Sequence, residues 1–131
     1  MTEYFKLAEF SAEQIPVDVA LKIEQFHVPN LNRAREVLGA PIRISQKSGY
    51  RSVETELRNG RPGTSQHCFR GAGAVDVTAD DLEALGSVLL RHTDYLRICY
   101  YPTKHFYHCD FKTSTHRLYV CDDGVNWKRA R

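Results

Sequence analysis

The chain has 131 residues, 42% of them hydrophobic, and a formal net charge of +2 at pH 7. This length and composition predict one compact domain with a single hydrophobic core, spanning residues 1–131. The small net charge and the scatter of the basic residues argue against nucleic-acid binding. The opening stretch has acidic residues and no apolar run long enough for a signal peptide or a membrane span, so we expect synthesis and folding in a cytoplasm. We also expect a monomer.

Four cysteines are spread along the chain without paired C-x-x-C spacing. In a reducing compartment such residues remain thiols, and free cysteines are among the most buried side chains. We therefore expect free, mostly buried thiols at Cys68, Cys99, Cys109 and Cys121.

The first predicted helix follows an aromatic lead-in. Ser11 and Gln14 resemble a capping pair in front of this helix. Apolar residues then recur at roughly helical spacing, but Pro29 lacks an amide donor and is expected to break or kink the run. Gly39 is the predicted C-cap.

A short strand and a second helix are predicted next. Residues 41–45 alternate apolar and polar side chains, which is the pattern of a half-buried strand. Ser48 and Gly49 form a predicted turn, and residues 51–57 are good helix formers. The glycines and the proline of residues 59–63 predict a loop that leads to the central motif.

The C-terminal half predicts one strand, one helix and a group of three strands. Residues 74–77 alternate so that Asp76 points to one face of the sheet. Thr78, with Asp81 at the third position, is the predicted cap of a helix that ends near Asp94. Short polar turns between the later strands favour an antiparallel meander and an α+β class, with helices packed on a small antiparallel sheet. These strands are predicted at residues 95–101, 105–111 and 117–121.

The central motif, SQHCFRGAGAVD at residues 65–76, places His67 and Asp76 toward the two ends of a glycine-rich turn. A neutral imidazole and a carboxylate are ligands of catalytic zinc, which usually takes three ligands from protein and leaves a fourth position to water. Downstream, FYHCDF offers His108 inside a predicted strand, which holds the ring toward one face. These three side chains are the predicted ligands of one zinc ion per chain.

Three motifs together resemble a known family. They are SGYRS at residues 48–52, SQH followed by glycine and AVD, and the H-x-D of His108 and Asp110. In this order they resemble the zinc D-alanyl-D-alanine carboxypeptidases and related bacteriophage endolysin peptidases, within the hedgehog/DD-peptidase superfamily. The resemblance implies a zinc peptidase that hydrolyses peptidoglycan stem or cross-link peptides, as a D,D-carboxypeptidase or an endopeptidase.

The resemblance also implies roles for single residues. It assigns zinc to the same three ligands. Arg51 falls where the family places an arginine near the substrate carboxylate or the scissile carbonyl, and we expect Tyr50 and Ser65 to support substrate binding. Such a peptidase acts on the cell wall after release, or as part of a virion.

The spacing of the first two ligands departs from the family pattern. Asp76 follows His67 by nine positions, as if two residues had been inserted around Phe69 and Arg70. A longer turn leaves both ends free to converge, so we retain Asp76 as a ligand.

The general base also departs from the pattern. Many family members carry Glu or Asp three residues before the last ligand, and His105 occupies that position here. On one regular strand Asp110 would share the face of His108, whereas His105 would point the other way. However, the turn at residues 102–104 precedes His105 and would let its ring bend toward the metal. We predict His105 as the proton shuttle, since an imidazole can accept a proton at neutral pH. Asp110 is then expected to orient His108 or to hold Arg51.

Simpler interpretations exist for these residues. His67 could be a hydrogen-bonded loop histidine, and Arg51 could form a surface salt bridge with Glu54 or Glu56. Trp127 is interpreted as a late core or edge anchor rather than a substrate platform.

Two other functions remain open. A zinc-binding but non-hydrolytic relative, acting as a structural, virion or recognition component, is favoured by the missing acidic base. A metal-free scaffold is favoured only if the longer turn keeps Asp76 from the metal.

Overall fold

A six-stranded sheet organises the part of the chain that the computed structural model describes, residues 4–45 and 49–130. Its strands are β1 (Arg43–Ile44), β2 (Ala74–Thr78), β3 (Arg97–Tyr101), β4 (Phe106–Asp110), β5 (Leu118–Val120) and β6 (Lys128–Arg129). The helices are α1 (Val17–Lys22), α2 (Val28–Leu38), α3 (Val53–Arg58) and α4 (Leu82–His92). The predicted α+β class, with helices on a small and mostly antiparallel sheet, is confirmed. No helix in these two ranges is long and apolar enough to cross a membrane.

Helices α1 and α2 form one continuous helical segment, joined by a π-helical turn at Ile23–His27. Of the break or kink predicted at Pro29, the break does not occur, and the helix instead changes from π to α directly before the proline. The amide of Val28 donates to the carbonyl of Ile23, which is the i→i−5 bond of a π-helix. Pro29 follows directly, in the first turn of α2, where its lack of an amide donor removes no regular α-helical hydrogen bond. The predicted C-cap is confirmed, because Gly39 has a left-handed φ of 69°.

The predicted cap at Ser11 is wrong. Helix α1 begins at Val17 with Pro16 in the N-cap position, and it has no side-chain cap. The Ser11 hydroxyl instead donates to the Tyr50 carbonyl at 2.9 Å. This buried bond connects the N-terminal segment to the loop before α3.

The predicted cap of α4 is also wrong. Asp81 is the N-cap, and its Oδ1 accepts a hydrogen bond from the Ala84 amide at 3.0 Å. Thr78 is the last residue of β2, and its hydroxyl donates to the His105 carbonyl at 2.7 Å. The chain between them is extended at Asp81, so the helix starts later than predicted.

Helix α3 begins after Ser52, whose Oγ accepts a hydrogen bond from the Thr55 amide at 3.1 Å. Of the predicted turn before it, Ser48 lies outside the described residues. Gly49 packs directly on the N-terminal segment, since a Cβ at this position would lie 1.9 Å from the Phe10 carbonyl oxygen. Only glycine allows this approach of the two backbones.

The strand order is β1-β2-β4-β3-β5-β6, so the predicted meander is wrong. Strand β4 already pairs antiparallel with both β2 and β3, which leaves the far edge of β3 for the next strand. Strand β5 takes this edge in the parallel direction. Arg117 fixes the crossing, because its guanidinium donates to the carbonyls of Tyr95 and Thr93, both at 2.7 Å.

The two faces of the sheet differ in character. One face packs against the helices through a hydrophobic core that includes Val75, Val77, Leu85, Leu89, Ile98 and Tyr107. The alternation of strand residues sends their neighbours, including Asp76 and His108, to the opposite face. The four cysteines are buried free thiols, as predicted.

Candidate active site

Three side chains converge on the face of the sheet opposite the core. His67 comes from a short 3-10 helix, Gln66–Cys68, while Asp76 and His108 are register partners on β2 and β4. His67 Nε2 lies 3.1 Å from His108 Nδ1 and 3.4 Å from Asp76 Oδ1, and His108 Nδ1 lies 3.1 Å from the same carboxylate oxygen. All three residues are buried. The structure thus brings together the residues predicted as metal ligands.

The longer turn between His67 and Asp76 does not separate these ligands. Phe69 adopts a left-handed conformation with φ 57°, and its ring is buried. The ring lies over Gly73, where a Cβ would be 2.2 Å from the ring atoms and where φ is +88°. The additional residues therefore place an aromatic side chain in the core, and the chain returns to β2 in reach of His67.

Each imidazole is oriented by a hydrogen bond on the nitrogen that points away from the cluster. His67 Nδ1 lies 2.8 Å from the Gly49 carbonyl oxygen, which can only accept, so this nitrogen carries the proton. His108 Nε2 donates to Asp110 Oδ2 at 2.7 Å. Bonds of this kind to a carbonyl or a carboxylate fix the tautomer and the ring orientation of metal-binding histidines.

The three side-chain atoms that face one another in the cluster could bind a cation. His67 Nε2, His108 Nδ1 and Asp76 Oδ1 are then three acceptors in mutual contact, an arrangement that needs positive charge between them. In a tetrahedral zinc site with bonds of about 2.0–2.1 Å, the ligand atoms lie about 3.3–3.4 Å apart. The observed separations of 3.1–3.4 Å are close to this value.

The electrostatics of the cluster agree with this interpretation. Burial alone would raise the pKa of Asp76, but the neighbouring imidazoles of His67 and His108 hold that pKa well below its usual range. Burial would lower the pKa of His108, but hydrogen bonds and charges from Asp110 and Asp76 raise it to about 9. The site therefore attracts positive charge, and a metal ion would replace the proton on His108 Nδ1.

The cluster lies in a cleft of about 560 Å³. The basic side chains that line this cleft outnumber the acidic ones, and Asp76 is one of only two acidic residues among the described lining residues. The basic residues are Arg51, Arg61, Arg97, Lys104 and Lys112, and the second acidic residue is Glu56. The cleft therefore has a positive lining around the cluster.

Arg51 lines the cleft and also contacts Glu56. Arg51 Nε lies 3.4 Å from Glu56 Oε2, and Arg61 donates to the same oxygen at 2.9 Å. The simpler interpretation of Arg51 thus identified a real contact, but Glu56 is only 1% exposed, so the ion pair belongs to the cleft wall and not to the open surface.

The two residues expected to support substrate binding lie in different surroundings. Ser65 lines the cleft, and its Oγ accepts a hydrogen bond from the His67 amide at 3.1 Å. Tyr50 is buried in the hydrophobic core, where its ring packs edge-on against Phe69. Ser65 thus lies beside the candidate metal ligands, whereas Tyr50 is not among the described residues that line the cleft.

The predicted proton shuttle, His105, and the residue predicted to orient His108, Asp110, also lie in different surroundings. Asp110 is fully buried and bonded to His108 and to Arg97, not to Arg51. His105 is exposed in a turn with φ 61°, and it lines a second cavity of about 380 Å³ instead of the main cleft.

Sequence reasoning missed Arg97 beside the cluster, and it interpreted Trp127 as a core or edge anchor without placing it in the cleft. Arg97 is the register partner of Asp110 in the β3-β4 hairpin and donates to it through Nε and a terminal guanidinium nitrogen, at 2.9 and 2.5 Å. The hairpin register could have indicated this pair. Trp127 lines the cleft, with its ring centroid 5.2 Å from that of His108. No sequence signal pointed to this contact, which depends on the path of the C-terminal segment.

The two imidazoles and one carboxylate that line the cleft could hold a metal ion, and three such protein ligands are the set found in catalytic zinc sites. A family model described as Peptidase M15 matches residues 3–110. The chain belongs to the peptidase M15 family, whose members are zinc peptidases, and the predicted family resemblance is confirmed. No match was found among curated proteins or among solved structures.

Proposed function

We propose that this protein is a zinc-dependent peptidase that hydrolyses peptidoglycan stem or cross-link peptides, with one zinc ion per chain. The observation that carries the proposal is the convergence of His67 Nε2, His108 Nδ1 and Asp76 Oδ1, while the other ring nitrogen of each histidine is bonded to an acceptor. The family match supplies the class of reaction. An enzyme of this kind meets its substrate after release to the wall, as in a phage endolysin, or as part of a virion.

The residues around the cluster have separate tasks in this reaction. When bound, zinc lowers the pKa of its water from about 15.7 toward 7 and polarises the scissile carbonyl. Asp110 keeps the proton of His108 on Nε2, which leaves Nδ1 as a ligand. Arg51, held against the buried Glu56, offers its guanidinium to a substrate carboxylate or to the developing oxyanion.

The charge of the cleft supports an acidic peptide substrate. Arg51 and Arg61 share the charge of Glu56, and Arg97 is paired with Asp110. Lys104 and Lys112 form no ion pair within the described residues. Stem peptides carry free carboxylates, so these lysines would attract such peptides at low salt.

The second cavity adjoins the main cleft and supports cleavage of an internal bond. Both cavities are lined by Asp76, Lys104 and Phe106, and the second continues toward β1 and Thr78. A peptide chain could therefore extend to both sides of the metal ligands. This arrangement favours the endopeptidase among the two activities that the family resemblance implies.

The route of the proton remains a prediction. His105 lines the second cavity, which Asp76 also lines, so a shuttle role requires that a water or the peptide connect this cavity to the main cleft. Asp110 has its carboxylate committed to His108 and Arg97, which supports an orienting role. The proposed roles are proton transfer for His105 and orientation of His108 for Asp110.

To test this, the zinc-loaded protein is incubated with purified peptidoglycan and with defined stem and cross-linked peptides. The products are identified by mass spectrometry. We expect new peptide termini in wild type and in a His92→Ala control, since His92 is an exposed histidine on α4. We expect none in His108→Ala. Intact substrates with fully zinc-loaded wild type would refute peptidase activity on these peptides.

A zinc-binding, non-hydrolytic relative is the second candidate. Among the described residues of the cleft, neither acidic side chain is available as a general base, because Glu56 is paired with two arginines and Asp76 is a proposed metal ligand. Zinc at full occupancy without hydrolysis of any wall peptide would identify this case.

A further inference from the structure

Trp127 belongs to a part of the chain that the family model does not cover, since the match ends at residue 110. The segment after this point crosses the sheet edge and forms β5 and β6. Trp127, in this segment, lines the cleft and packs against the His108 ring, with the two ring planes 65° apart. A residue outside the family match thus lies beside a predicted metal ligand.

Trp127 is tied to the cluster through Arg97. The guanidinium carbon of Arg97 lies 4.6 Å from the centroid of the Trp127 ring, which is a cation-π contact. The same guanidinium is bonded to both oxygens of Asp110, with nitrogen-oxygen distances of 2.5 to 3.2 Å. Arg97 is therefore held between an aromatic face and a carboxylate, and the ring restricts where the guanidinium can lie.

Asp110 connects Arg97 to His108, the proposed metal ligand. Its Oδ2 receives both the Arg97 bond at 2.5 Å and the His108 Nε2 bond at 2.7 Å. The carboxylate orientation that suits Arg97 is thus also the one that holds the His108 ring. A shift of Arg97 would move the carboxylate and, with it, the Nδ1 atom in the cluster.

The position of Trp127 is itself well determined. Its Nε1 donates to the Tyr101 hydroxyl at 2.8 Å, and its ring packs against Tyr119 with centroids 5.4 Å apart. Tyr101 lies on β3 and Tyr119 on β5, so the two contacts anchor the indole to neighbouring strands. The ring is therefore a fixed support for Arg97 and not a mobile cover.

We propose that Trp127 is a positioning residue for the metal site, acting through Arg97 and Asp110 on His108. The C-terminal segment is then part of the active site. This inference rests on the proposed zinc site. If Trp127 were only a core or edge anchor, as the sequence analysis interpreted it, its substitution would change the stability of the protein but not its zinc affinity.

The experiment measures zinc dissociation constants by competition with a chromophoric chelator at fixed pH. Trp127→Leu keeps an apolar side chain but removes the aromatic face, and we expect zinc binding to weaken about ten- to a hundred-fold, as for other partners that orient metal ligands. Trp127→Phe keeps an aromatic face and should recover most of the affinity. Val125→Ala is the control, because Val125 lies in the same segment with 79% of its surface exposed.

A double-mutant cycle separates positioning from a general loss of stability. Arg97→Ala should weaken zinc binding to a similar degree, and adding Trp127→Leu to it should have little further effect, because the coupling runs through Arg97. Unchanged zinc affinity in Trp127→Leu, or effects of the two substitutions that add fully, would overturn the proposal. If Trp127→Leu does not fold, Trp127→Met, which also lacks an aromatic face, takes its place in the cycle, and the same two results would overturn the proposal. Wild type that binds no zinc would instead refute the proposed zinc site.

Discussion

His67 Nε2 and His108 Nδ1 lie 3.1 Å apart, although each ring already directs its other nitrogen to an acceptor. Two neutral imidazoles in these tautomers would face each other with lone pairs, beside the carboxylate of Asp76. A proton or a metal ion must occupy the space between them to remove this repulsion. The contact between the two rings is thus the strongest indication that the site is built for a cation.

Removal of any one of the three ligands should abolish stable zinc binding. His67→Ala, Asp76→Ala and His108→Ala each leave two protein ligands, which rarely hold zinc tightly. Elemental analysis of protein purified without chelator should give one zinc per chain for wild type and for His92→Ala. Full occupancy in two of the three ligand variants would contradict the assignment. Because ligation ties the turn after Ser65 to β2 and β4, chelation should also lower the melting temperature.

Arg51 should be required for turnover but not for zinc binding. Arg51→Ala removes the guanidinium from the cleft, and we expect a loss of about a hundred-fold in hydrolysis of wall peptides. Arg51→Lys keeps the charge but loses the forked geometry, so it should also be impaired. Arg58→Lys, at an exposed position of α3, is the matched control. Normal turnover in Arg51→Lys and Arg51→Ala would reduce Arg51 to a structural partner of Glu56.

The proton-transfer roles can be separated by pH-rate profiles. His105→Ala should lower the rate and change the shape of the profile while zinc stays bound, if this side chain carries the proton. Asp110→Asn should weaken zinc binding about ten-fold or more, since it disturbs the bond that orients His108. The opposite result, an unchanged profile in His105→Ala and an inactive, fully zinc-loaded Asp110→Asn, would reverse the two roles.

His27 should make the stability of the protein depend on pH between about 4 and 6.5. Burial lowers the pKa of His27 to about 4, although its bond to the Ala72 carbonyl opposes this shift. As pH falls below about 6.5, His27 binds a proton in the unfolded chain but not in the folded chain, so the free energy of unfolding decreases. A shift of this size corresponds to roughly 3 kcal/mol at the acid end of the window, and to no effect above it.

The measurement is urea unfolding at several pH values for wild type and His27→Gln, at the same zinc concentration. The glutamine cannot titrate but can still bond to Tyr95 and Ala72, the two partners of the imidazole. The difference in unfolding free energy between the two proteins should shrink as pH falls. A constant difference would show that His27 does not titrate in this window.

Local patterns in the sequence predicted the three residues that the structure brings together, His67, Asp76 and His108. Alternation fixes which residues of a single strand share a face with Asp76 or with His108. The register of β2 and β4, which pairs Asp76 with His108, then places both side chains on the same face. Helix α4, the left-handed cap at Gly39 and the α+β class follow in the same way from short-range preferences. These features need only the conformational limits of a few consecutive residues.

Only the tertiary structure decided which residues surround the ligands. The parallel placement of β5 depends on which sheet edge is still free after β4 has paired on both sides, and short-range preferences carry no information about that edge. The contacts of Trp127 with Arg97 and His108 follow from this strand order. The exposed turn that takes His105 out of the main cleft likewise depends on its bond to Thr78 on another strand, because contacts between residues distant in sequence outweigh local preference where the two disagree.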